Sequence, residues 1–143
     1  MNAEVSNVIA DSSQHSLHFE VRDYECDMAH VVNNAVYLNY LEHARHEYLR
    51  RIGINFGDMA RQGISLVVVR IEADFKSSLV SGDKFVVQTL LTRKGRLRFQ
   101  FNQSIHRLPD NQLMLSAVVT GTALNKRGRP EIPPELDRAL DGF

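Results

Sequence analysis

The chain has 143 residues, which is enough for one domain with a hydrophobic core and too few for two. Its 17 basic and 17 acidic residues balance, so overall charge argues against a nucleic-acid-binding or membrane-surface protein. Its one cysteine, Cys26, excludes an internal disulfide. We expect a single domain over residues 1–143.

The N-terminal segment, residues 1–14, contains no Lys or Arg and no apolar core. It therefore fits neither a signal peptide nor an Arg-rich transit peptide, and we expect a loose lead-in to a cytoplasmic protein. No apolar run approaches the ~20 residues of a membrane-spanning helix, so no membrane span is expected.

The first regular elements are a strand and a long helix. Residues 15–21 alternate between apolar and polar, which predicts a strand. From residue 33 to residue 52, apolar side chains recur at helical spacing, at Tyr37, Tyr40, Leu41, Ala44 and Tyr48. Either Asn33 or Asn34 is suited to cap this helix, and a second short helix is predicted at 55–62.

The rest of the chain is dominated by strands. Residues 67–76 alternate strictly, which predicts a long half-buried strand. Further strands are predicted at 85–92, 97–106 and 113–124, and the tail at 126–143 is expected to be irregular. One long helix followed by four strands joined by tight turns indicates an α+β fold, in which an antiparallel sheet packs one face on the helix.

Asp27 is the first candidate for chemistry. An acid before a helix is often a cap or a solvated loop residue, but Asp27 lies six positions before Asn33, too far to cap the helix. Its neighbours Met28, Ala29 and Val31 are apolar, so we expect them to exclude water from the carboxylate. A carboxylate beside helix-terminal N–H groups suits ester or thioester hydrolysis.

The asparagine pair has two interpretations. One of the two caps the helix, which leaves the other side chain free to meet a substrate or water. In either case the backbone N–H of Asn34 is a first-turn donor without a partner inside the helix.

Other polar clusters are weaker candidates. Arg93, Lys94 and Arg96 form either a solvated hairpin or a phosphate-binding segment. The spacing of His43 and His46 is not that of a zinc protease, so no metal site is expected. The chain lacks the glycine-rich motifs of nucleotide kinases and dinucleotide enzymes and the G-x-S-x-G motif of α/β-hydrolases.

Two stretches resemble a known family. "RDYECDMAHVVNNAVYLNYLEHARHEYL" and the later "SGDKFVV" are similar to hotdog-fold acyl thioesterases of the 4-hydroxybenzoyl-CoA thioesterase type. The signature of that type, D-x-x-x-x-V-x-x-x-x-Y, corresponds here to Asp27, Val32 and Tyr37. "VVNNAVY" and "HARHE" most resemble plant acyl-lipid thioesterases, and the resemblance covers roughly residues 17–130.

The resemblance implies a hotdog fold, in which an antiparallel sheet of about five strands wraps around one long central helix. It implies that Asp27 is catalytic and that the backbone N–H of Asn34 contacts the thioester oxygen. It also implies a homodimer or homotetramer with sites at subunit interfaces, and no cofactor. The residues expected to contact substrate are Tyr24, Val32, Asn33, Tyr37, Arg93, Lys94 and Arg96.

The resemblance implies hydrolysis of acyl-CoA or acyl-acyl-carrier-protein thioesters, with Asp27 as nucleophile or general base. Two alternatives remain open, a non-catalytic acyl-thioester-binding protein and a hotdog dehydratase or isomerase. The chain departs from many bacterial members at two positions. It has Asn34 where they carry His, and Asp23, followed by Tyr24, where they carry Tyr.

Overall fold

The structure, a computed structural model, describes residues 14–141. The predicted lead-in at 1–14 therefore lies outside the described residues except for Gln14. The five strands are β1 (Gln14–Glu20), β2 (Ser65–Phe75), β3 (Lys84–Lys94), β4 (Arg98–Leu108) and β5 (Gln112–Leu124). The three helices are α1 (Asn34–Arg51), α2 (Phe56–Arg61) and α3 (Pro134–Asp141), and a 3-10 turn covers Asp23–Glu25.

All five strands form one antiparallel sheet in the order β1-β3-β4-β5-β2. This arrangement, with α1 on one face, is the predicted α+β hotdog fold, and the predicted bounds of the long helix are confirmed to within one residue at each end. No helix within residues 14–141 is both long and apolar enough to cross a membrane.

The prediction that the last four strands are joined as consecutive hairpins is wrong for β2. This strand pairs with β5 at the edge of the sheet, far from β3. The connecting segment between β2 and β3 crosses the start of α1, where Leu79 is fully buried. Burial of Leu79 and its backbone hydrogen bond from Val32 (2.9 Å) hold the crossing in place.

The buried stripe of α1 packs on the sheet in two clusters. The first half of the helix contributes Tyr37, Tyr40 and Leu41, which pack with residues of β3, β4 and β5. The second half contributes Tyr48 and Leu49, which pack with Phe99, Phe101, Val119 and α3. The long helix therefore runs the length of the sheet and places its two ends in different surroundings.

Two expectations need correction. The tail is not irregular throughout, because α3 covers Pro134–Asp141 and its Leu136 is fully buried in the second cluster. Proline is well tolerated at the first position of a helix, so Pro134 starts α3 without cost. The strand β2 is not half-buried in a single chain, because it lies at the sheet edge and most of its side chains are exposed.

Candidate active site

A tight loop between the 3-10 turn and α1 carries Asp27. Cys26 and Val32 form an isolated antiparallel bridge across its base. Within the loop, the N–H of Asp27 donates to the carbonyl of Val31 and the N–H of His30 donates to the carbonyl of Asp27, both at 2.9 Å. His30 adopts a φ of 65°, which lets the chain reverse within these few residues. The loop is therefore closed by its own backbone.

The side chain of Asp27 stabilises this loop with one of its oxygens. Oδ1 accepts from the N–H of Ala29 at 2.8 Å and, more weakly, from that of Val31 at 3.5 Å. Oδ2 accepts no hydrogen bond from any residue in the described range 14–141. The carboxylate is thus held in one orientation with one oxygen available.

The expectation that apolar neighbours shield Asp27 from water is wrong for a single chain. Asp27 is exposed, and Met28 beside it is 98% exposed. The tight reversal turns Met28 and Ala29 outward, and no residue within 14–141 covers them.

The start of α1 lies directly after this loop. Asn33 is the N-cap, and its Oδ1 accepts from the N–H of Ala35 at 2.8 Å. Asn34 is the first helical residue, and its N–H has no acceptor among the described residues. The Asn34 side chain is exposed. The helix therefore presents a free N–H donor at the positive end of its dipole.

Glu25 anchors the loop to α1, although it is not among the candidate residues predicted from sequence. Its carboxylate is 9% exposed and accepts from the hydroxyl of Tyr40 at 2.7 Å and from the N–H of Arg22 at 2.8 Å. Burial, and then the bond to Glu25, raise the pKa of Tyr40 well above its usual range, so this phenol stays a donor. The available signal was Tyr40 itself, since a tyrosine on a buried stripe usually needs a partner for its hydroxyl.

The predicted substrate-contacting residues near the loop have different surroundings. Val32 and Tyr37 are buried in the core, and the hydroxyl of Tyr37 accepts from the N–H of Leu79 at 2.8 Å. Burial also raises the pKa of Tyr37. Tyr24 is 76% exposed, and its hydroxyl accepts from Arg22 at 2.9 Å. Contact of any of them with substrate stays a prediction.

Arg93, Lys94 and Arg96 lie away from Asp27 within one chain. The start of β3 is beside the loop, since Val21 donates to the carbonyl of Asp83, whereas these residues lie at or just beyond the far end of β3, about 30 Å along the strand. Arg93 is paired with Asp137 and Asp141 of α3 at 2.7 and 2.8 Å. Lys94, the last residue of β3, and Arg96, in the β3–β4 turn, are exposed.

A pocket of about 360 Å³ lies between the second half of α1, α2 and the sheet. Most of its lining is apolar, and the start of β2 forms one wall. Its lining includes Arg45, Leu49, Phe56, Met59, Leu66 and Phe101. The pocket is at the opposite end of α1 from the Asp27 loop of the same chain.

Comparison with known proteins points to one family. Residues 21–140 match the thioesterase-like superfamily. The chain is 42% identical over 126 residues to the chloroplastic acyl-acyl carrier protein thioesterase ATL3 of Arabidopsis thaliana, covering 87% of this chain and 66% of that relative. It is 31% identical over 101 residues to the long-chain acyl-CoA thioesterase FadM of Escherichia coli, covering 71% of this chain and 76% of FadM.

The fold also matches solved structures. A 1,4-dihydroxy-2-naphthoyl-CoA thioesterase from Synechocystis superposes with a TM-score of 0.84 over 91% of this chain and 97% of that one. The two sequences are 18% identical, so this likeness establishes a shared fold. The chain spans about two thirds of the length of the Arabidopsis relative.

Proposed function

Because the chain belongs to the thioesterase-like superfamily, we propose that it hydrolyses acyl thioesters of coenzyme A or acyl carrier protein to a free acid and a thiol. One observation carries the proposal: the Asp27 carboxylate, with Oδ2 available, sits on a rigid loop that leads directly into a helix start with a free N–H. The names of the plant and bacterial relatives support the same chemistry.

In the proposed reaction, the thioester carbonyl oxygen accepts from the N–H of Asn34. Negative charge grows on this oxygen as the carbonyl is attacked, and the positive end of the α1 dipole stabilises it. A donor aimed at developing charge of this kind is worth ~10²–10³-fold in rate in other enzymes.

Asp27 supplies the attack in one of two ways. As a nucleophile, Oδ2 bonds to the carbonyl carbon, the thiolate leaves, and water cleaves the resulting anhydride. As a general base, Asp27 takes a proton from a water that attacks the same carbon. Both routes end in a carboxylic acid and a thiol. The side chain of Asn34 is neutral near pH 7, so it neither gives nor takes a proton in either route.

The proposal includes a homodimer formed along the free edge of β2. Val68, Val69, Ile71 and Phe75 are exposed apolar residues of this strand, and a bare edge strand readily pairs with another. A two-fold axis perpendicular to the sheet makes that pairing antiparallel, so the end of one β2 lies beside the start of the other.

In such a dimer, each site is composite, which means that both copies of the chain contribute to it. The start of α1 is near the end of β2, since the rings of Tyr37 and Phe75 are 5.6 Å apart, whereas the 360 Å³ pocket adjoins the start of β2. Antiparallel pairing therefore brings the Asp27 loop of one copy toward the pocket of the other. It also offers cover for the exposed Met28 and brings Lys94 and Arg96 to the end where the partner's loop lies. A homotetramer would pair two such dimers.

The proposal is tested with Asp27→Asn, which keeps the shape of the side chain and removes its charge. We expect thiol release from a panel of acyl-CoA and acyl-acyl-carrier-protein thioesters to fall at least ~100-fold, the scale of a lost acid–base group. Asn34→Ala is the matched variant, because it retains the backbone donor, and it should lose less activity. Undiminished thiol release by a folded Asp27→Asn protein would refute the assignment.

A further inference from the structure

The 360 Å³ pocket is apolar apart from a few side chains, and one of these is unusual. Leu49, Phe56, Met59 and Leu66 form an apolar wall suited to a hydrocarbon chain. Glu42 and His46 are exposed residues of α1 at the same pocket, with 3.9 Å between Oε2 of Glu42 and Nε2 of His46. Arg45, between them in sequence, is buried.

Arg45 is held rigidly from one side. The residue is 8% exposed, and its Nη1 donates to Oε1 of Gln103 at 3.1 Å. Gln103 cannot turn its amide, because its Nε2 already donates to the carbonyl of Leu41 and to Oγ1 of Thr89, both at 3.0 Å. The guanidinium also lies 6.0 Å from the centre of the Phe101 ring, which lines the pocket.

The charge of Arg45 has no counterion in the described chain. Within residues 14–141 it forms no ion pair with a carboxylate, and Glu42 is near enough to influence it without touching it. Burial lowers the pKa of Arg45, but a guanidinium remains protonated in proteins. A buried cation without an anion is unfavourable.

The remaining donors of Arg45 face open volume. A guanidinium has five N–H groups, and one hydrogen bond from it is made within residues 14–141. None of its nitrogens is among the fully enclosed polar atoms that lack a partner, so the unbonded ones retain accessible surface. Arg45 is among the residues that line the pocket, which places these donors beside its volume.

We propose that this pocket binds an apolar chain bearing a carboxylate or another acceptor oxygen, with the guanidinium of Arg45 donating to that oxygen. The apolar wall takes the chain and Arg45 takes the polar group, so the ligand class is an amphipathic acid. Two sources share this chemistry: a free fatty acid, which is the product of the proposed hydrolysis, and an acyl substrate with a second oxygen-bearing group. Binding of such a substrate depends on the proposed thioester hydrolysis, whereas binding of a free fatty acid does not.

The first arm of the test measures binding without turnover. Octanoate and 1-octanol, which share a chain and differ in the carboxylate, are titrated calorimetrically into the wild-type chain, Arg45→Met and Arg45→Lys. We expect octanoate affinity to fall about tenfold or more in Arg45→Met and to recover in part in Arg45→Lys, while octanol affinity changes little. Arg51→Met, at an exposed arginine of the same helix that does not line the pocket, should leave both unchanged.

The second arm distinguishes the two sources by turnover. Thiol release is compared for octanoyl-CoA and for the eight-carbon acyl-CoA that carries a terminal carboxylate. If the polar group belongs to substrates, Arg45→Met lowers kcat/KM for the carboxylated substrate about tenfold relative to octanoyl-CoA. If it belongs to the product alone, this ratio is unchanged and inhibition by octanoate is lost in Arg45→Met.

The inference and the proposed function fail in different ways. Absence of thiol release by the wild-type chain refutes the function, and the calorimetric arm still decides the inference. Equal octanoate affinity in folded wild-type and Arg45→Met chains, or no saturable octanoate binding to the wild type, overturns the inference. If Arg45→Met does not fold, Arg45→Lys and Gln103→Leu, which frees Arg45 to move, replace it in the same comparison.

Discussion

Two tyrosines on the buried stripe of α1 hold the loop that carries Asp27. Tyr40 donates to the buried carboxylate of Glu25, whose backbone carbonyl accepts from the cap residue Asn33 at 3.0 Å. Tyr37 accepts from the N–H of Leu79, whose carbonyl accepts from Val32. Each tyrosine therefore secures one backbone contact at the helix entry, and the position of Asp27 depends on the core.

Removing one hydroxyl tests this dependence. Tyr40→Phe leaves the buried carboxylate of Glu25 without its side-chain donor, so we expect the free energy of unfolding to fall by about 2 kcal/mol. Urea denaturation measures the change. Tyr24→Phe removes a hydroxyl from an exposed ring that does not bond to Glu25, and it should stay within ~0.5 kcal/mol of wild type. Equal effects of the two variants would contradict the anchoring role of Tyr40.

At the scale of elements, the contact between β2 and β5 depends on a glycine. The register shifts between Val68, which pairs with Gly121, and Arg70, which pairs with Thr120, so Val69 is the extra residue of a bulge. A Cβ built on Gly121 would lie 2.8 Å from Cε1 of Phe99 and 2.9 Å from the carbonyl oxygen of Val67. Glycine is required here because ring and backbone approach too closely for any side chain.

Gly121→Ala should therefore destabilise the sheet beside the pocket. The added methyl group must displace either the Phe99 ring or the β2 backbone, and we expect a loss of about 2 kcal/mol in thermal or urea unfolding. Ser116→Ala, earlier in β5, removes an oxygen from a half-buried side chain and adds no atom, so it should change stability by less than ~0.5 kcal/mol. A Gly121→Ala variant as stable as wild type would show that β2 or the Phe99 ring can move aside without a cost in stability.

At the scale of the whole molecule, the two edges of the sheet differ. The seven-residue β1 closes one edge with polar residues at alternate positions, whereas the eleven-residue β2 leaves exposed apolar side chains along the other. Edge strands of soluble proteins are usually protected by charge or cover. The apolar character of β2 therefore favours pairing with a second copy, which supports the proposed composite site.

A charge placed on this edge tests the proposed dimer. We expect Ile71→Lys to shift the mass measured by light scattering from dimer to monomer, because lysine on an edge strand opposes pairing. Thiol release should fall in parallel, since each site would lose its partner. Leu97→Lys, at another exposed apolar residue away from the β2 edge, is the control for the mass measurement and should leave the mass unchanged. A dimer of unchanged mass and activity in Ile71→Lys would place the interface elsewhere.

Apart from α3, the elements of this fold and the place of the candidate site along the chain could be predicted from local sequence patterns. The long helix, the five strands and a cap at either Asn33 or Asn34 were predictable because they depend on periodicity and on residues a few positions apart. Asp27 was a candidate for the same reason, because its separation from the cap can be counted directly along the sequence. The prediction that apolar neighbours exclude water from its carboxylate was wrong, because the direction of the Met28 side chain depends on the turn at His30.

Contacts between residues far apart in sequence, by contrast, follow from the packing of the whole fold. Pairing of β2 with β5, burial of Glu25 against Tyr40 and docking of α3 through Leu136 all join segments separated by many residues. Arg45 is the clearest case, because a charged residue on a helix is usually solvated, and its burial follows from contacts with Gln103, 58 positions away. Such pairings depend on the free energy of the whole packed core, which local sequence patterns do not contain.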